Sequence, residues 1–242
     1  MKSSEYGRGF VVAAALLIVA SVASAAPIMI FNTGTLFNGA VAPDGTIGDS
    51  HYTLVSAPGG STTVRVRTAG AFPIPPWVGN DALSAWIGPN NDNSLDGPPG
   101  NYDYRTTFDL TGLDPSTAIL TGAWAMDNSG ISILLNGVAT GITRPDPTLT
   151  GNPFMSFANF SINSGFVAGV NTLDFIINND KVNGGTSPNP TGLRVEISGT
   201  AASSSAVPEP ASLVLVGAGF AGVYLLGRSR RWTASSRGAR TA

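Results

Sequence analysis

The sequence has no cysteine in its 242 residues. That excludes disulfides, a thiolate zinc centre and a lipid-modified N-terminal cysteine, so a secreted domain of this chain has to hold by core packing alone. His51 is the only histidine, which excludes a histidine zinc cluster and leaves one residue for any Ser-His-Asp arrangement. No G-x-S-x-G elbow accompanies it. Charged residues make up only 12% of the chain. Between Pro27 and Ala206 there is a single glutamate, Glu196, and nothing near it in the sequence supplies the second carboxylate that glycoside hydrolysis needs. The expectation is a protein that is not an enzyme. Helical periodicity of useful length is also missing from the body.

Turn formers and short alternating stretches are plentiful. Glycine occurs 30 times and proline 17 times. Such a composition suits many short strands joined by turns. Once the two apolar terminal segments are set aside, the remainder has the size of one domain with its own core. From Pro27 to Ala206 six basic residues face thirteen acidic ones, a net charge of −7. An acidic body repels a polyanion, so nucleic acid is not expected as a partner.

Lys2 and Arg8 precede the apolar run Phe10 to Ala20, and Ala23-Ser24-Ala25 supplies the small-x-small cleavage pattern. Residues 1–26 therefore read as a secretory signal helix, with Ala23 and Ala25 marking the cleavage site. The run is short against the roughly 20 residues a spanning helix needs, which disfavours a retained anchor. The mature chain is expected to start at Ala26 or Pro27.

Residues 27–198 read as one all-β domain, an antiparallel β-sandwich. Tyr102 to Leu110 is the clearest strand, with Tyr102, Tyr104, Thr106, Phe108 and Leu110 on one face. Asp103 and Arg105 share the other face and are expected to pair weakly. Further strands are expected at Thr62–Arg67, Asp81–Ile87, Ile119–Met126, Ile131–Leu135, Ser156–Ile162, Asn171–Asn178 and around Leu193, Val195 and Ile197. Arg194, Glu196 and Ser198 are then outward. Asn136-Gly137 is the strongest hairpin signal, because both residues tolerate positive φ. Gly199 to Ala206 reads as a flexible linker, too small and polar to pack.

Two constellations could bind a ligand. Asn90, Asp92 and Asp96 lie in an oxygen-rich loop that would suit calcium, although no glutamate closes it in EF-hand fashion. A solvated turn held by Asx hydrogen bonds accounts for the same residues. Otherwise no cofactor is expected. Trp77 and Trp86 are candidate stacking platforms for sugar rings, whereas Trp124, on an alternating strand, reads as core.

The residues Trp124-Ala125-Met126-Asp127-Asn128, then Ile133-Leu134-Leu135-Asn136-Gly137, then the stretch from Gly165-Phe166 through Asn171-Thr172-Leu173 to Asn178-Asn179 follow a recurring pattern. A strand, an Asn-Gly hairpin and a Gly-x-Asn-x-Leu lead into a strand succeed one another. In this the chain resembles the galactose-binding-like jelly-roll domains, whose members bind sugars through loops at one end. The resemblance carries no catalytic motif and no sugar-binding set.

At the other end Pro208-Glu209-Pro210 precedes the apolar run Ala211 to Leu226, and Arg228, Arg230 and Arg231 form a basic stop. The run suits a thin or tilted transmembrane helix, and the arginines favour the cytoplasmic side. Residues 207–231 resemble the PEP-CTERM sorting signal of Gram-negative bacteria, followed by a basic cytoplasmic tail at 232–242. The resemblance implies an exosortase as partner, cleavage near Pro208, Glu209 and Pro210, and membrane anchoring before that cleavage. It further implies a cell-surface or matrix protein associated with exopolysaccharide or biofilm. A carbohydrate-binding module, calcium-dependent or not, is the alternative reading, and a glycoside hydrolase the remote one.

Overall fold

A computed structural model describes residues 24–68, 73–89, 95–146 and 152–204, with the single residue Gly219. Residues 1–23 of the expected signal helix, the expected transmembrane helix apart from Gly219, the sorting tripeptide and the arginine stop therefore lie outside the described residues, whereas Ala25 and Ala26, expected to end the signal helix, are in a strand because they pair with Ala202 and Ala201. Among residues 24–204, those described form short 3-10 turns and thirteen strands. In chain order the strands are β1 (Ala25–Pro27), β2 (Thr53–Ser56), β3 (Val64–Arg67), β4 (Trp86–Pro89), β5 (Asp96–Gly97), β6 (Gly100–Asp109) and β7 (Ile119–Asp127). They continue with β8 (Ser129–Leu135), β9 (Val138–Ala139), β10 (Ala158–Ile162), β11 (Val170–Asn179), β12 (Asn189–Pro190) and β13 (Gly192–Ala202).

These strands form two main antiparallel sheets. One runs β10-β7-β13-β4-β3, with β1 also paired to β13, and the other runs β2-β6-β11-β8-β9. A short third ladder joins β5 to β12. The sheets share one core because their strands alternate. Leu120, Trp124 and Met126 of β7 and Leu193, Val195 and Ile197 of β13 meet Tyr102, Tyr104 and Phe108 of β6 and Leu173, Phe175 and Ile177 of β11. The Trp124 and Phe175 rings stand 6.0 Å apart across the layers. Burying large apolar side chains of this kind contributes about 1.5–3 kcal/mol each, which is how a domain without disulfides is held.

The Asn136-Gly137 turn forms as expected, with φ of 53° and 78°. Several other expectations need correction. The linker expected from Gly199 onward begins later, because β13 continues to Ala202. Thr200, Ala201 and Ala202 pair with Pro27, Ala26 and Ala25 of β1, and a paired backbone satisfies its polar groups whatever the side chains. The strand expected over Asp81–Ile87 is instead Trp86–Pro89, because Asp81 makes a turn by accepting hydrogen bonds from the Leu83 and Ser84 amides. Arg105 feels the charge of Asp103, but its salt bridge goes elsewhere. It forms a two-point ion pair with Asp174, its cross-strand partner on β11, at 2.5 and 3.0 Å. Arg67, at the end of β3, is buried and pairs with Asp44 at 3.0 Å.

Candidate functional site

The register gives the body two distinct ends. β7 starts at Ile119, opposite Thr200, and finishes at Asp127, opposite Gly192. β11 starts at Val170, opposite Asp109, and finishes at Asn179, opposite Gly100. β1 enters and β13 leaves at the Ile119–Val170 end. The other end carries the connections after β4, β7 and β11.

That second end is polar and tightly bonded. The Asn128 amide donates to the Asn178 carbonyl at 2.7 Å. The Asp180 amide donates to Asn128 Oδ1 at 2.8 Å. The Thr191 hydroxyl donates to the Asp127 carbonyl at 2.7 Å. Asn179 Nδ2 donates to the Gly97 carbonyl at 2.8 Å, tying β11 to the β5–β12 ladder. An open cavity of about 510 Å³ lies here, lined by Pro99, Gly100, Asn178, Asn179, Asp180 and Lys181.

Asp127 is the electrostatic centre of this end. It is only 6% exposed, and its Oδ1 meets no donor. Burial first, then the charges of Asp146 and Asp180, push its carboxyl up to about 7. The sign follows from linkage. The folded state keeps a proton on Asp127 that the unfolded chain, titrating near 3.8, has already released. Stability is therefore lost as pH rises toward 7, and the full cost is present above that. Asp127→Asn is expected to raise stability at pH 8 by about 1–3 kcal/mol, with the gain shrinking toward pH 4. Urea midpoints of both proteins across that range check this, and a gain independent of pH would sink it.

A second cavity, an open groove of about 540 Å³, crosses the outer face of β10, β7 and β13. Asn32, Leu83, Thr121, Asn159 and Ser198 line it together with Glu196. Glu196 is not isolated as the sequence suggested. Its Oε1 accepts from the Ser84 hydroxyl at 2.9 Å and lies 3.5 Å from Arg194 Nη2. Asp81 Oδ2 sits 2.6 Å from the same Nη2. Burial raises the Asp81 carboxyl, but the Leu83 amide, the Arg194 charge and the Ser84 amide outweigh it and hold it below its usual value. Both carboxylates are thus committed to one guanidinium. Arg194 is fully buried, bonded also to Ser84 Oγ and the Gly79 carbonyl, with the Phe157 ring 5.1 Å away. It was expected to be outward. It is covered because the segment from Pro73 to Ser84 folds over this sheet.

The same cover buries the expected sugar platforms. Trp77 and Trp86 stand 4.4 Å apart in a small second core with Leu95 and Ala125, flanked by Phe154 and Phe157. The Trp86 indole donates to the Val78 carbonyl at 3.0 Å. Neither ring presents a face to solvent. Of the calcium loop, Asn90 and Asp92 lie outside the described residues. Asp96 is half-buried on β5, opposite Pro190 of β12. Among the described residues no group of three His, Asp or Glu side chains could hold a metal ion. His51 is a loop residue packed by its ring, stacked on Phe31 at 3.7 Å. Ala25 of the cleavage pattern is in β1, whereas Ala23 lies outside the described residues, as do Pro208, Glu209, Pro210, Arg228, Arg230 and Arg231.

Residues 206–231 match the PEP-CTERM protein-sorting motif. No curated protein matches the chain.

Proposed function

We propose that this chain is secreted across the inner membrane, held there by its C-terminal segment, and cut by an exosortase near Pro208-Glu209-Pro210. The mature protein then works, without enzymatic activity, at the cell surface or in an exopolysaccharide matrix. The match of residues 206–231 to the sorting motif carries this reading. The fold adds support, because β1 enters and β13 leaves side by side, so the polar end with Asp127 and Asp180 is turned away from the point of attachment. The commitment of Asp81 and Glu196 to Arg194 favours a structural or binding role over hydrolysis. The alternation of β6, β7, β11 and β13, with the Asn136-Gly137 hairpin, supports a galactose-binding-like jelly-roll as the class of the body. Polysaccharide is the partner its end loops and open cavities would suit.

Intact-mass measurement of the surface-located protein tests the sorting step. The expected mass lacks the N-terminal signal and everything beyond the tripeptide, and retention of Trp232 to Ala242 would overturn the reading. The same preparation on a glycan array, with and without calcium, tests the matrix partner, and no binding in either condition would remove it.

A further inference from the structure

We propose that the end of the body from which β13 leaves is a bilayer-facing surface, with Val138, Val167 and Val170 touching the lipid headgroup layer while the C-terminal segment is inserted. The inference rests on the sorting reading and adds the surface by which the anchored precursor meets the membrane.

The first observation is the length of the connection. The Ser204 amide is still bonded to the body, donating to the Gly112 carbonyl at 2.9 Å. The apolar run starts seven residues later, at Ala211. An extended chain covers at most about 3.3–3.6 Å per residue, so the inserted segment holds this end within about 25 Å of the bilayer in any conformation. The ten-residue strand β11 alone is about 33 Å long, so with the body upright on this end the opposite end, with Asp180 and Lys181, stands that much farther off.

The second observation is what this end displays. Val138 is 70% exposed, Val170 65% and Val167 48%. Val138 follows the β8–β9 turn, and Val167 lies in the connection that leads to Val170, the first residue of β11. The two are fastened together. Asn136 Nδ2 donates to the Gly165 carbonyl at 3.0 Å and to Asn171 Oδ1 at 2.9 Å, and the Val167 amide donates to the same Oδ1 at 2.9 Å. The apolar side chains are thus held out on a bonded support, where burial would return their hydrophobic free energy.

Charge sets the depth and the kind of surface. Asp109 and Asp114 lie at this end, and hydrogen bonds from the Thr111 and Ser116 side chains and amides hold their carboxyls below the usual value. Two ionised carboxylates oppose deep insertion and an anionic surface, so the fit is to a zwitterionic headgroup layer.

Because the chain has no cysteine, a single Val138→Cys or Lys181→Cys substitution takes one fluorophore cleanly. The full chain is reconstituted into phosphatidylcholine vesicles carrying a nitroxide on the headgroup, after flotation shows that it is anchored. Quenching at position 138 is expected to exceed that at 181 several-fold, and Val170→Cys should follow 138. Equal quenching in floating protein overturns the surface alone, including the case where only a partner protein contacts this end. A chain that fails to float overturns the anchoring reading and the surface with it.

Discussion

Arg194→Ala should lower the unfolding free energy by about 3 kcal/mol and loosen the segment from Pro73 to Ser84. The reasoning starts from desolvation. A guanidinium with no solvent exposure is tolerated only where its donors and charge are answered, and here the Asp81 and Glu196 carboxylates, Ser84 Oγ and the Gly79 carbonyl answer them. Alanine removes the charge and leaves those acceptors facing each other. Asp81 is partly exposed and Glu196 less so, and water reaching them keeps the loss near the lower end of what breaking a buried pair costs. The loss is not confined to charge, because Arg194 is the bolt that fastens the covering segment to β13. Trp77 is the inward-facing side chain of that cover and packs on Trp86 beneath it. Arg194→Lys keeps the charge but not the planar fork, so it should recover only part of the stability. Urea unfolding measures the first effect, and limited proteolysis between Gly79 and Ser84 measures the second. An alanine variant with wild-type midpoint and wild-type protease resistance would show that the ion cluster holds nothing.

The same residue shows where sequence reading stops. In Leu193-Arg194-Val195-Glu196-Ile197 the alternation places Arg194 outward, and it is outward with respect to the sheet. What the pattern does not carry is that a segment more than a hundred residues earlier lies over that face. Trp77 and Trp86 were misplaced for the same reason: a second layer turns an outer face into an inner one. By contrast, Tyr102 to Leu110 was legible because both of its faces are decided locally, by pleat and hydrophobicity. The Asn136-Gly137 hairpin was legible because a positive φ at two successive residues is a property of those residues. The sorting motif is contiguous, so it could be found whole. The polar end could not. Asp127 ends β7 while Asp146 and Asp180 lie in two later connections, and only the register of β7, β8 and β11 brings them into one field. Pairing also explains the linker error, since the small residues after Gly199 carry no strand signal of their own and are ordered by β1.

Trp124→Ala should cost about 3–5 kcal/mol, the range for deleting a large aromatic side chain from a core. The indole fills the space between the sheets, near Phe175 on one side and Gly130 on the other, and it is almost fully buried. Gly130 explains why the site cannot relax around a different shape. A Cβ built on it would stand 2.4 Å from Trp124 Cη2, closer than any real contact. Its backbone is also fixed, because Gly130 and Arg144 exchange two hydrogen bonds of 2.7 Å, and the Arg144 guanidinium reaches back to the Trp124 carbonyl at 2.9 Å. Ring, glycine and arginine therefore constrain one another. Gly130→Ala in the native background should cost about 1–3 kcal/mol by overpacking. In a Trp124→Phe background the smaller ring leaves room for the methyl group, so most of that cost should vanish. A double-mutant cycle read by urea unfolding measures the difference, and the coupling should be at least about 1 kcal/mol. Additive effects would mean that the glycine is required for the bridge to Arg144 rather than for the indole, and that the space between the sheets is less rigidly filled than the packing of Trp124 against Gly130 requires.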